Sequence, residues 1–350
     1  SGCIDDGYSP PGPVWAAERV VNAAFKVPGL LAGLVVIAML PRVGVDPFYV
    51  SLLTQAFLLG IAAASLDLLV GRTGLVSLCH ASFFGLGAYT TAMLGTRLGI
   101  NNVVVVGLVA ILLAALLSAA FGLVALRGRG AAFIIITIAL NQLAWGLAFQ
   151  WVSFSGGENG LTGFIAPTIG PLDLADPQTL YLVALVALVL CLAALWKISH
   201  SPFGLVLAGI KEQPRRMKAL GYNIFWYQLA AFVIAGCFAA TGGFLFAQYN
   251  SFVSPVELSL TTSVQLLVMV ILGGTGTLIG PVLGSVIIVF LSNILSVYTD
   301  RWPLILGVVY AAIVLFTPDG LLGLAERVTR GRLRASKLVV PRRLQTPVES

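Results

Sequence analysis

Residues 103–126, VVVVGLVAILLAALLSAAFGLVAL, run their whole length without a charged side chain. An apolar stretch of more than about 18 residues is suited to the hydrocarbon of a bilayer. It crosses as an α-helix, because every backbone N–H and C=O must be satisfied within the segment. Residues 48–70, 76–96, 132–152, 180–198, 224–248, 262–280, 283–299 and 303–318 read as further spans. Segment 29–40, GLLAGLVVIAML, lies between Pro28 and Pro41. It falls short of the ~20 residues a span needs and crosses only if flanking residues extend it. Counting it gives about ten membrane segments. With 58% hydrophobic and 10% charged residues, and a mean hydropathy of +0.98, a soluble globular domain is excluded. A β-barrel is excluded too, since it would show short alternating segments rather than continuous runs. The expected fold class is an all-α polytopic membrane protein.

Charge then sets orientation. Lys211, Glu212, Arg215, Arg216 and Lys218 crowd one short segment between two long apolar runs. Such a segment cannot lie in hydrocarbon, and its excess of Lys and Arg places 199–223 on the cytoplasmic side. Counting spans outward from it, Gly71-Arg72-Thr73-Gly74, Arg127-Gly128-Arg129-Gly130 and the Arg-rich stretch 327–343 also fall inside. The 153–179 loop, with Glu158, Asp173 and Asp176 and no Lys or Arg, falls outside. The domains expected are a flexible leader 1–28, a transmembrane domain 29–324 containing the loop 199–223, and a basic cytoplasmic tail 325–350. No cleavable signal peptide is expected, because the leader has no cationic stretch followed by an apolar run. The surplus positive charge suits the cytoplasmic leaflet and implies no nucleic acid. Cys79, Cys191 and Cys237 lie in separate apolar runs and Cys3 stands apart, so no disulfide framework or metal site is expected.

Glycine marks the places where helices break. Gly71-Arg72-Thr73-Gly74 and Gly273-Gly274-Thr275-Gly276 each follow an outward-to-inward run and precede a second glycine-rich run. This hints at the internal duplication common in transporters. Irregular backbone at membrane depth survives only if it is buried in protein or lines a cavity. Gly274 is therefore a candidate for the translocation path, as are Ser77 and His80 in GLVSLCHASFFGLGAYTTAML and Asn141 and Gln142 in 132–152. Each has a plainer reading as helix packing or interhelical hydrogen bonding, and both readings stand. Asp67 reads as pairing with Arg72 at the inner end of its helix.

Four stretches, in this order and spacing, resemble the LivM-type permease of branched-chain amino acid ABC importers. The first is Gly74-Leu75, Ser77-Leu78, His80-Ala81 and Phe83-Phe84-Gly85-Leu86-Gly87-Ala88-Tyr89. The second is the external glycine loop from Ser155 to Gly163, with Glu158 and Asn159. The third is the cytoplasmic loop 204–223, ending in Ala219-Leu220-Gly221-Tyr222-Asn223. The last comprises Leu272 to Gly284 and Pro318-Asp319-Gly320-Leu321-Leu322-Gly323. The resemblance covers about 48–324. It departs at Cys79, where the family usually has glycine.

The resemblance implies a permease subunit in a bacterial plasma (inner) membrane. It would form the path with a second, homologous permease, and work with two ATP-binding subunits inside and a substrate-binding protein outside. No cofactor is expected on this chain, with ATP and magnesium on the partner subunits. That agrees with the residues, since the G-x-x-x-x-G-K-[ST] phosphate loop is absent and no lysine follows a glycine. The loop 199–223 would couple to the ATPase. Ile210, Met217 and Leu220, at helical intervals, are expected to form its apolar docking face. Glu212, Arg215, Arg216, Ala219 and Gly221 complete the element. Branched-chain or other hydrophobic amino acids are the expected cargo, with urea, short amides or aromatic acids as alternatives within the family. An ion-driven transporter is the rival class, but it would keep ionisable groups inside the membrane. Stretches 132–152, 224–256 and 258–299 have none. A membrane enzyme would need a carboxylate pair or a histidine cluster, and the chain has 2 histidines.

Overall fold

The computed structural model describes residues 38–39, 41, 46–100, 102–163, 176–299, 301–316 and 320. The leader 1–28, most of segment 29–40 and the tail 325–350 lie outside the described residues. By its contacts the chain divides into Ser1–Val50 and Ser51–Ser350. In the first unit, Asp46 accepts the Phe48 N–H at 2.9 Å and opens the first long helix.

That helix, α1, spans Pro47–Asp67 and widens into a π-turn over Leu68–Thr73. The chain then runs unhelical to α2, His80–Arg97, and on through α3, Val103–Ala125, and α4, Ala131–Gln150. Next come α5, Pro177–Ser199, and the two short helices of the loop 199–223, α6, Pro202–Glu212, and α7, Pro214–Ala219. The series closes with α8, Ile224–Asn250, α9, Leu260–Gly273, α10, Gly280–Tyr298, and α11, Trp302–Phe316. Side-chain caps satisfy several of the N-terminal N–H groups that a helix leaves without partners. Asn102 accepts from Val104 and Val105, Ser201 from Gly204, and Ser259 from Thr262. Asp176 accepts from Thr179, with Pro177 in the first turn. The Thr179 hydroxyl and N–H hold the Asp176 carboxyl below its usual range.

Six helices are long and apolar enough to cross a membrane, counting α1 with its π-turn. Two more apolar helices, Leu260–Gly273 and Trp302–Ala312, are shorter, and α2 has 18 residues. The described residues therefore hold six full-length candidates; the expected count of about ten also took in shorter segments and 29–40, most of which lies outside the described residues. Two expected spans are cut short, each beside a glycine in the left-handed region. Residues 76–96 become a helix only from His80, because Gly74 turns the chain at φ 73° and the Leu78 N–H is taken by Thr137 Oγ1 at 3.2 Å. Segment 262–280 ends at Gly273, where Gly274 adopts φ 106°.

In the second unit α2 packs closely against α8. A Cβ on Gly87 would overlap the Ala240 carbonyl, and one on Gly243 the Phe84 carbonyl. Backbone-to-backbone approach of this kind is what small residues permit in membranes. Aromatic rings fill the flanks, with Phe83 edge-on to Phe232 at 5.6 Å and Phe84 beside Phe246 at 5.1 Å. Ser285 of α10 donates to the Ala56 carbonyl of α1 at 2.8 Å. A two-residue pairing, Leu161–Thr162 with Phe252–Val253, ties the α4–α5 and α8–α9 connections together.

Candidate coupling junction and translocation path

Ser201 and Pro202 start α6, which buries Gly204, Leu207 and Ile210 against the rest of the chain. At Gln213 the backbone leaves the helical region and α7 folds back. Gly209 leaves room for this, since a Cβ there would stand 2.8 Å from Met217 Sδ. The second helix closes at Gly221, where φ is 87° and the Tyr222 N–H reaches the Met217 carbonyl at 3.1 Å. This is the double-bonded left-handed ending that glycine favours.

The expected apolar face of Ile210, Met217 and Leu220 does not form. The turn at Gln213 splits these residues between two helices: Ile210 is 2% exposed and belongs to this chain's own core, while Leu220 is 67% exposed. Met217 is half-buried on Gly209. The outward surface instead comprises Glu212, Arg215, Arg216, Lys218, Ala219, Leu220 and Gly221. Arg129, from the α3–α4 turn, joins Gln213, Pro214, Arg215 and Arg216 around a cleft of about 460 Å³.

Behind this surface lies a junction that ties both helix breaks to α6. Lys211 Nζ donates to the Gly71 carbonyl at 2.8 Å, and its aliphatic stem covers Gly74. Gly71 in turn presses on the second break, where a Cβ would come within 2.6 Å of Gly276 Cα. Asp67, 1% exposed, completes the contact. Its Oδ1 accepts the Gly276 N–H at 2.6 Å and its Oδ2 the Leu278 N–H at 3.1 Å. Arg72 and Lys211 act on this carboxylate electrostatically, but its hydrogen-bond partners here are backbone N–H groups, not the expected arginine alone. The two similar glycine motifs thus meet in space.

The candidate path residues separate. Ser77, His80 and Asn141 are fully buried, Gly274 is buried at the break, and Gln142 faces outward. Asn141 is a hub: its Oδ1 accepts from Ser82 Oγ at 2.8 Å and Ser263 Oγ at 3.4 Å, and its Nδ2 donates to the Leu258 carbonyl at 3.0 Å. Ser263 also accepts the Ala81 N–H at 3.1 Å. The starts of α2 and α9 therefore meet beside the middle of α4. Ser77 Oγ lies 3.3 Å from Cys79 Sγ. Neither ring nitrogen of His80 has a hydrogen-bond partner, and the ring stands edge-on to Phe83 at 5.6 Å. Sequence reasoning missed Ser263 and the Leu258 carbonyl, which lie more than a hundred residues from Asn141 in the chain. Glu158 and Asn159 are exposed on the turn Gly157–Asn159. Among the described residues no group of three or more His, Cys, Asp or Glu could hold a metal ion.

Residues 48–318 match the family model described as branched-chain amino acid transport system / permease component. The high-affinity branched-chain amino acid transport system permease protein LivM of Salmonella typhimurium is 28% identical over 89% of this chain and 78% of its own length. Its namesake in Escherichia coli K12 is 27% identical over the same shares. The autoinducer 2 import system permease protein LsrC of Escherichia coli O157:H7 is 26% identical over 85% of this chain and 87% of its own. No solved structure matches the chain.

Proposed function

Because the chain belongs to the family of branched-chain amino acid transport system permease components, as a multi-pass plasma-membrane protein, we propose that it is one of two permease subunits of an ATP-driven importer. A second, homologous permease completes the path, two ATP-binding subunits supply the energy, and an external binding protein delivers the solute. Branched-chain or other hydrophobic amino acids are the cargo that the LivM relatives favour. The LsrC relatives carry a different solute in their name, so the cargo rests on those relatives rather than on the geometry.

The observation that carries this function is the two-sided cytoplasmic element. Its outer side, from Glu212 to Gly221, is exposed. Its inner side is tied through Lys211 to Gly71, and through Asp67 the same junction grips Gly276 and Leu278. A soluble ATPase that seats on α7 and moves it pulls on both helix breaks together. The breaks adjoin α2 and α9, whose starts are bound to Asn141. The neutral lining and the lack of charged residues in 132–152, 224–256 and 258–299 suit a zwitterion or an uncharged solute and leave no ion-coupling group there.

The test is reconstitution of the complex in proteoliposomes with labelled leucine and the binding protein outside. Uptake should require ATP with the ATP-binding subunits, and survive collapse of ion gradients. Uptake that persists without ATP and vanishes with a protonophore would return the chain to the ion-driven class. Competition by autoinducer 2, but not by valine, would overturn the cargo alone.

A further inference from the structure

The rest of the chain leaves two spans largely uncovered: in their most apolar stretches 22% of α3 and 17% of α4 is buried. Both exposed faces are mainly apolar, and they differ at one mid-helix residue. On α3 the exposed residues are apolar throughout, among them Leu108, Ile111, Leu112, Leu116 and Leu123. That face suits lipid. The exposed face of α4 runs through Ile135, Ala139, Gln142, Leu143 and Leu147 at helical spacing, with half-buried Gly146 beside them. Gly146 has open space where a Cβ would stand. Gln142 is exposed, and it is not among the residues with further hydrogen bonds or ion pairs.

Gln142 sits near the middle of its helix, roughly 12 Å from the Gln150 end at 1.5 Å per residue. Its side chain is too short to bring the amide to the headgroups. An amide held in hydrocarbon without a partner is strongly disfavoured, so this face is not a lipid face.

We propose, building on the importer function, that the α4 face of Ile135, Ala139, Gln142 and Gly146 is this chain's wall of the solute passage. It looks across at the second permease subunit, and Gln142 supplies the passage with a neutral hydrogen-bonding group. The adjacent Asn141, about 100° further round the helix, is buried and bound to Ser82 and Ser263, so the wall is tied to the starts of α2 and α9. Displacement of either helix is transmitted to the residue beside Gln142.

The experiment uses the assembled complex in its membrane. Gln142→Cys and, as a lipid-facing control, Leu112→Cys are treated with a water-soluble methanethiosulfonate, with labelling of the parent chain's own cysteines as baseline. Gln142→Cys should react at least about ten-fold faster than Leu112→Cys, as expected of a polar passage against hydrocarbon, and more slowly when solute-loaded binding protein is present. Gly146→Cys should cross-link to the second permease subunit. Gln142→Leu should lower uptake about ten-fold, one lost charge-free hydrogen bond to the moving solute, with Gln142→Asn partly restoring it. Reactivity of Gln142→Cys no greater than that of Leu112→Cys overturns the proposal, as does cross-linking of Gly146→Cys only to another copy of this chain, or unchanged uptake in Gln142→Leu. Isolation of ATP-binding subunits with the parent chain is read on the same membranes. Their absence would count against the importer function, whereas the labelling pattern counts for or against the wall.

Discussion

Removing the Asp67 carboxylate isolates the contact between the two helix breaks. Asp67→Ala strips the acceptor from the Gly276 N–H at 2.6 Å and the Leu278 N–H at 3.1 Å. Both bonds are made by a side chain that is 1% exposed. A buried donor left without a partner costs about 1–3 kcal/mol, so two cost roughly 2–6 kcal/mol. Loss of the carboxylate also removes its own burial penalty, which brings the net to about the lower half of that range. Asp67→Asn keeps one acceptor oxygen and should cost about half as much. Gly71→Ala reaches the same contact from the other side, because its Cβ would stand 2.6 Å from Gly276 Cα and drive the breaks apart. The assay is ATP hydrolysed per solute imported by the reconstituted complex, read beside the thermal unfolding of the purified complex. Asp67→Ala and Gly71→Ala should both raise the ATP cost of each solute and lower the unfolding temperature, with Asp67→Asn in between. The reasoning fails if Asp67→Ala matches the parent in both.

Three further outcomes follow from the packing. Asn141→Leu removes the hub for Ser82, Ser263 and the Leu258 carbonyl; at about 0.6–2 kcal/mol per interhelical bond, it should lower the detergent stability of the purified complex more than Gln142→Leu does. Ile210→Asp buries a charge at a position 2% exposed, and should be seen as loss of the chain from membranes rather than as loss of ATPase binding. Gly274→Leu places a side chain where φ is 106°, a conformation essentially reserved for glycine, and should abolish uptake, whereas Leu266→Val should be mild. Normal uptake with Gly274→Leu would mean that the break is incidental.

The long uncharged runs announced most helices within a few residues, because hydrocarbon demands continuity and charge marks the ends. Residues 103–126 became Val103–Ala125 and 224–248 became Ile224–Asn250. Pro214 and Gly221, both plain in the sequence, bound the short helix α7. Periodicity failed where a break intervened. Ile210, Met217 and Leu220 share a face only on one continuous helix, and Gln213 interrupts it. Similarly, 76–96 looks uniform in hydropathy, yet Thr137 takes the N–H of Leu78. The similarity of the two glycine motifs was visible in the sequence. Their mutual contact through Asp67 was not, since a hydrogen bond between distant stretches leaves no local pattern.

The most direct measurement concerns Leu220, 67% exposed at the end of α7. Leu220→Asp and Arg216→Ala are introduced separately, and co-purification of the ATP-binding subunits and uptake are measured on the same preparations. An exposed ion pair contributes only about 0–1 kcal/mol, so Arg216→Ala should weaken binding modestly. Leu220→Asp, which puts a charge into an apolar contact, should release the ATP-binding subunits or leave them hydrolysing ATP without import, while this chain remains folded in the membrane. Full retention of the ATP-binding subunits with undiminished ATP-driven uptake in Leu220→Asp would contradict a coupling role for the element 199–223.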